Sequence, residues 1–158
     1  VVIRAPLIYG PNVKGNFSRI LGLVEKSPLL PLASINNERS LLAVENAVDF
    51  ILLCIDRCKS LSAANQVFYI ADPIDVSLST LIKKIIHIFE FRCVVFPFPI
   101  SVIKFVLRGL GKEHICVRLL ANLQVDSTKA NEMLGWEPPV SLDEQLLKMA
   151  NVESGDEQ

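Results

Sequence analysis

Apolar residues recur along this chain in two periods, one suited to strands and one to helices. The opening Val1-Val2-Ile3 is a near-continuous β-branched run, the pattern of a parallel strand buried on both faces. That strand is predicted to end near Arg4, before Ala5-Pro6. After Leu7-Ile8-Tyr9, the pair Gly10-Pro11 stops regular structure. Asn16 can cap a helix reaching about Lys26, with Phe17, Ile20, Leu21 and Val24 on one face. Pro28 to Leu32 reads as extended, Ile35 to Glu38 as a polar turn, and Arg39 to Val44 as a short strand. A helix is predicted over about Glu45 to Cys58, with Val48, Ile51, Leu52 and Ile55 on its apolar stripe.

Gln66 to Ala71 is a further strand. Ser77 caps a helix to about Phe89 with Leu78, Leu81, Ile82 and Ile85 inward. Cys93 to Phe96 is a strand candidate, and helices are expected at about Ile100 to Leu110 and His114 to Leu123. Another follows Asp126 and stops at Gly135. The last starts at Ser141 with the capping box Ser141-Leu142-Asp143-Glu144, and the polar tail from Glu153 to Gln158 is expected to fray. The mixture predicts an α/β fold with helices dominating the C-terminal part. Its strands are too few for the sheet that the opening run requires, so the chain reads as a piece of something longer.

Composition narrows the function classes. The 158 residues match one ordinary domain, and 51% apolar content with a mean hydropathy of +0.40 excludes intrinsic disorder. Sixteen basic against seventeen acidic residues leave no whole-chain basic field for nucleic acid. Cys54, Cys58, Cys93 and Cys116 read as reduced, mostly buried thiols of a cytoplasmic protein. Val1-Val2-Ile3-Arg4 lacks the charged head and apolar core of a signal peptide. Pro97, Pro99 and Lys104 make Val94 to Leu110 a poor membrane span. Apolar residues lie all round Ile100 to Leu110, which favours burial in a core over peripheral membrane attachment.

Most candidate chemistry reduces to ordinary structure. Gly10 to Gly15 has the spacing of a phosphate loop, but Asn16 and Phe17 stand where Lys and Ser or Thr are required. Gly109-Leu110-Gly111 reads as a helix end. Cys54 and Cys58, four apart on a helix, lack two further metal ligands, since His87 and His114 sit on other helices. His87 reads as structural, and no Gly-x-Ser-x-Gly turn presents a nucleophile. Two arginines stand out. Arg39, where a polar turn meets a strand, is either a phosphate clamp or a solvated strand-edge charge. Arg118, among Ile115, Val117, Leu119 and Leu120, needs an anionic partner or a route to water.

Three segments resemble one family in the correct order. Val2-Ile3-Arg4-Ala5-Pro6-Leu7-Ile8-Tyr9-Gly10-Pro11 is similar to a strand-and-turn "Arg-x-x-x-x-Tyr-Gly-Pro". Asn37-Glu38-Arg39-Ser40, with Val44-Glu45-Asn46-Ala47-Val48-Asp49 beyond it, is similar to an arginine turn and the helix it precedes. Asp126-Ser127-Thr128-Lys129-Ala130 with Leu134-Gly135-Trp136-Glu137-Pro138 is similar to a closing signature. Together they resemble the C-terminal half of the extended short-chain dehydrogenase/reductases, the NAD-dependent sugar-nucleotide epimerases, dehydratases and 4-keto-reductases. The bacterial UDP-sugar 4-epimerases and 4-keto-reductases of surface-polysaccharide synthesis are the subgroup most resembled.

That resemblance implies the end of a Rossmann-type domain over residues 1–15, a helix-rich sugar-nucleotide-binding lobe over 16–150 and a polar tail over 151–158. It implies that Ala5, Pro6 and Leu7 pass the nicotinamide end of NAD or NADP. Asn16 and Phe17, at a helix start, would meet the sugar nucleotide, where unsatisfied backbone donors suit a diphosphate. Leu30, Pro31 and Leu32 would line the uracil, Arg39 would bind ribose or phosphate, and Arg118 would take the diphosphate from the other side. Asp126 and Lys129 read as a helix cap and its neighbour. Leu7 stands where many relatives have Asn, and Gln145 where Gly is common, a change that concerns packing. The family's Tyr-x-x-x-Lys pair is absent, because Val13 follows Tyr9 by four and Pro73 follows Tyr69 by four. So is the Gly-rich cofactor turn. The implied protein is a substrate lobe that is inactive alone, in a full-length enzyme that dimerises. The alternative is a non-catalytic binding or scaffold module that needs a partner chain.

Overall fold

The computed structural model describes residues 1–12, 15–56, 61–111 and 120–155. In chain order the elements are β1 (Val2–Arg4), β2 (Leu7–Tyr9), α1 (Asn16–Lys26), β3 (Leu29–Leu30), β4 (Leu41–Ala43) and α2 (Val44–Ile55). Then follow β5 (Val67–Tyr69), α3 (Leu78–Ile88), β6 (Val94–Val95), α4 (Ile100–Gly109), α5 (Thr128–Leu134) and α6 (Leu142–Gly155). Every strand pair is parallel: β1 with β5, β2 with β4, β3 with β6. The α/β class and the parallel pairing are those expected from the β-branched opening. The chain folds as two compact units interleaved in sequence. One is Val1–Phe17, Ser40–Asp75 and Gln124–Gln158; the other is Ser18–Arg39 and Val76–Leu123.

In the first unit, Leu42, Phe50, Phe68, Ile70, Leu134 and Trp136 form one buried cluster. Phe50 meets the rings of Phe68 and Trp136 edge-on, at 5.5 Å and 5.0 Å between centroids, the geometry that aromatic quadrupoles favour. Trp136 reaches the cluster because Gly135 adopts a left-handed φ of 63° and turns the chain back after α5. Its indole N–H then donates to Asp49 Oδ2 at 2.9 Å. Asp126 Oδ1 accepts from the Thr128 N–H at 2.9 Å, and Lys129 Nζ donates to Gln66 Oε1 and the Val67 carbonyl at 3.0 Å each. Both residues hold α5 in place. The capping box at Ser141 forms, with Glu144 Oε2 accepting from the Ser141 N–H at 2.8 Å.

Three expectations are corrected. On α2, Val48, Ile51, Leu52 and Ile55 face outward, while Asn46, Ala47 and Phe50 are buried. Asn46 decides this, because its amide bonds Asp72 and Val140 and turns the Asn46–Phe50 face inward. The tail expected to fray from Glu153 remains helical to Gly155. Burial of Ile100 to Leu110 is not found, since α4 buries no residue. Its polar residues Ser101, Lys104 and Arg108 fall on a single stripe, spaced three and four apart.

In the second unit, Leu78, Leu81, Ile82 and Ile85 of α3 are buried as their spacing requires. Ser77 caps the helix by accepting from the Thr80 N–H at 3.0 Å. Cys93 is a buried free thiol and Cys54, in the first unit, a half-buried one; burial pushes both thiols up from their ordinary value. His87 is exposed. Cys58, Cys116, His114 and most of the helix expected from His114 lie outside the described residues.

One close approach in the first unit explains the turn after β2. A Cβ on Gly10 would lie 2.3 Å from Val44 Cγ1 and 3.4 Å from Gln145 Nε2, and Gln145 is itself fully buried. Gly10→Ala is therefore expected to destabilise the chain by about 1–3 kcal/mol through overpacking. Adding Val44→Ala should return part of that loss. Urea unfolding of the single and double variants measures the coupling, and simple additivity would contradict the clash.

Candidate functional site

Arg39 sits between two other segments of the second unit. Its N–H donates to the Val76 carbonyl at 3.1 Å and its carbonyl accepts from the Val76 N–H at 2.9 Å. A second bridge joins it, in parallel sense, to Leu123. Just before it, the Glu38 carbonyl accepts from the Leu123 N–H at 2.9 Å, and the buried Asn37 Oδ1 accepts from the Leu78 N–H at 2.9 Å. The backbone of Arg39 is thus fixed before any ligand arrives. Its Nη2 donates to the Ala121 carbonyl at 3.3 Å, while the buried Nε has no hydrogen-bond partner. Burial lowers the guanidinium pKa, yet an arginine side chain remains charged at neutral pH. A half-buried cation with an unused donor is a favourable place for an anionic group, which restores the solvation that folding removed.

In the first unit, Ala5 and Pro6 join β1 to β2, with Ala5 exposed and Pro6 and Leu7 half-buried. They lie just past the C-terminal end of a parallel strand, where open α/β sheets bind ligands. Tyr9 below them is fully buried and donates to Asp72 Oδ2 at 2.8 Å. Asp72 Oδ1 also accepts from the Ala43 N–H at 3.0 Å and from Asn46 Nδ2 at 2.7 Å. Burial raises the Asp72 pKa despite these donors, and burial followed by the Asp72 charge pushes the Tyr9 hydroxyl far above 10. The tyrosine is therefore a structural donor and holds its proton at every physiological pH.

The expected residues divide between the units. Ala5, Pro6, Leu7, Asn16 and Phe17 belong to the first, and Leu30, Pro31, Leu32 and Arg39 to the second. Asn16 is exposed at the start of α1. Phe17 is fully buried, stacked on Tyr9 at 5.3 Å, so only its backbone can meet a ligand. Leu30 and Leu32 are also buried, which leaves the Pro31 ring and the strip's free backbone groups. The Leu30 carbonyl is already taken by the Phe96 N–H at 3.0 Å. Arg118 lies outside the described residues. Among the described residues, no group of three or more His, Cys, Asp or Glu could hold a metal ion.

The chain is 41% identical over 145 residues to a UDP-glucose 4-epimerase of Vibrio cholerae, covering 91% of this chain and 43% of that protein. Its fold matches the UDP-glucose 4-epimerase of Thermotoga maritima, solved with UDP-glucose, with a TM-score of 0.67 at 21% identity over 99% of this chain and 46% of that one. It also matches a dTDP-glucose 4,6-dehydratase of Bacillus anthracis, solved with NAD, at 0.67 and 13% identity over 99% of this chain and 44% of that one. Over nine-tenths of its length the chain is similar to a sugar-nucleotide epimerase, and its fold is that of the extended short-chain dehydrogenase/reductases. No family model matches it. It spans less than half the length of the curated relatives it matches.

The Tyr9–Asp72–Asn46 network holds the end of β2, although neither Asp72 nor its pairing with Tyr9 is visible in the sequence. The only local signal is Asn46, a polar residue two positions into an apolar helix, where an unpaired amide would be costly. Tyr69, the second tyrosine, accepts from Arg4 Nη1 at 2.6 Å beneath the Arg4 guanidinium.

The network has a pH signature. An unfolded tyrosine ionises near 10.0 whereas native Tyr9 keeps its proton well above that, so stability falls as pH rises beyond about 10. Asp72 acts in the same sense at lower pH: its contribution is present below 3.8 and is lost as pH rises through its raised native value. Tyr9→Phe should cost about 1–2 kcal/mol at pH 7 and flatten the alkaline slope. Urea midpoints recorded against pH test both, and an unchanged slope above pH 10 would contradict the assignment.

Proposed function

We propose that this chain is the substrate-positioning C-terminal part of an NAD(P)-dependent enzyme that epimerises or reduces a nucleotide-diphosphosugar, a UDP-sugar of surface-polysaccharide synthesis. The observation that carries this reading is the 41% identity to a UDP-glucose 4-epimerase across nine-tenths of the chain. The geometry that fits it is Arg39, whose backbone is locked between Val76 and Leu123 while its Nε lacks a partner.

In that role Arg39 orients the ribose or a phosphate. Backbone N–H groups at the start of α1 are neutral donors suited to a diphosphate. Asn16 is the exposed side chain there. Pro31 offers an apolar surface to the base. Ala5, exposed past β1, fits a nicotinamide edge, with Pro6 and Leu7 setting the width of the approach. The nicotinamide, when bound, accepts and returns a hydride at a sugar carbon. Neither Tyr9 nor Tyr69 of this chain has a lysine four residues on, so the proton that accompanies hydride transfer is handled by residues outside these 158. The outward stripe of α2 (Val48, Ile51, Leu52 and Ile55) and the exposed Val1 and Val2 at the start of β1 are the surfaces a nucleotide-binding half would cover.

Calorimetric titration with UDP and then NAD, on the protein and on Arg39→Ala, tests the reading. A roughly tenfold or greater loss of UDP affinity in the variant, about 1.4 kcal/mol, is expected. No NAD binding is expected from the 158 residues alone. UDP affinity unchanged by Arg39→Ala would overturn the site. A folded protein that binds no UDP at all would favour the scaffold alternative.

A further inference from the structure

Helix α4 buries none of its side chains. Phe105 is 79% exposed, Val106 50% and Val102 41%, and Leu110 just beyond the helix is 64% exposed. Residues three and four apart share a helical face, so Val102, Phe105 and Val106 form one apolar patch. Ser101, Lys104 and Arg108 form a separate polar stripe. The helix is therefore amphipathic, with its apolar side left to the surroundings. A nearly fully exposed aromatic within such a patch marks an interaction surface.

Charge indicates what covers it. The net charge of −1 hides a strong division between the two units. The unit that carries α4 holds ten basic and four acidic residues, a net of +6. The other holds six basic and thirteen acidic residues, a net of −7. One sugar nucleotide would answer only part of the excess on the basic unit. A second copy laying its own α4 against this one would bring two units of +6 together. An apolar helix face on a strongly basic unit, with cations on its polar stripe, matches the chemistry of an anionic phospholipid surface. The acyl region accepts the aromatic and aliphatic side chains, and the headgroups meet the lysines and arginines.

We propose that α4 is an interfacial helix that docks this protein onto an anionic lipid bilayer, with Phe105 and Val106 inserted and Lys104 at the headgroups. The helix lies on the membrane and does not cross it: no described helix is long and apolar enough to span one. The proposal is independent of the sugar-nucleotide reading.

Full-length protein would be sedimented with vesicles of phosphatidylglycerol and phosphatidylcholine in equal parts, and with vesicles of phosphatidylcholine alone. Binding to the mixed vesicles, weakened by high salt, is expected. The double substitution Phe105→Ser, Val106→Ser should reduce partitioning about tenfold or more, and Lys104→Glu should reduce it as well. All three positions are exposed, so circular dichroism should be unchanged and UDP binding retained. No sedimentation with anionic vesicles would overturn the proposal. So would equal binding to phosphatidylcholine, binding indifferent to the Phe105 and Val106 substitutions, or a stable dimer formed through this face.

Discussion

A buried carboxylate organises the first unit. Asp72 follows directly on the segment that continues β5, and its two oxygens collect donors from three places: the Tyr9 hydroxyl, the Ala43 N–H and the Asn46 amide. Each donor lies near the boundary of an element, since Tyr9 ends β2, Ala43 ends β4 and Asn46 lies in the first turn of α2. Withdrawing a carboxylate from water is costly unless its lone pairs are filled, so these boundaries are coupled through one group. Asn46 carries the constraint further, accepting from the Val140 N–H and donating to its carbonyl, which ties in the approach to α6. The turn at Gly10 and the path from β1 to β2 rest on this arrangement.

The same constraint explains why α2 presents its aliphatic stripe outward. A helix normally turns its most apolar side to the core, and Val48, Ile51, Leu52 and Ile55 would qualify. Burying them would pull Asn46 away from Asp72 and leave a carboxylate, an amide and a backbone N–H without partners. Two or three unsatisfied buried groups, one of them a carboxylate, would offset much of what burying four already half-covered aliphatic side chains contributes. The outward stripe is thus a by-product of satisfying polar groups, and it creates a need for a covering element.

The second unit follows a different logic. Its strands are short, and its order comes from backbone pairing around one polar segment: Asn37, Glu38 and Arg39 engage Leu78, Val76 and Leu123. That clamp fixes Arg39 without neutralising it, because no carboxylate partners the guanidinium among the described residues and Nε remains unpaired. A cation prepared in this way loses little freedom on binding an anion, which is how a site gains affinity without added area.

Helix periods, caps and stops were legible in the sequence, because they depend on neighbours within a few residues. Ser77, the Ser141 to Glu144 box and Gly135 all act where local pattern places them. The parallel character of the strands also followed from the β-branched opening, and the ordered motifs marked the family. Which helix faces are inside was a tertiary decision. Asp72 is 26 residues from Asn46 and 63 from Tyr9 in sequence, so its hold on α2 leaves no local trace. The burial of Phe17, Leu30 and Leu32 was equally hidden, because an apolar residue at a ligand surface and one in a core read alike until packing distinguishes them. The division of charge into a basic and an acidic unit emerged only when distant segments came together, since electrostatic fields depend on position in space whereas sequence records only order.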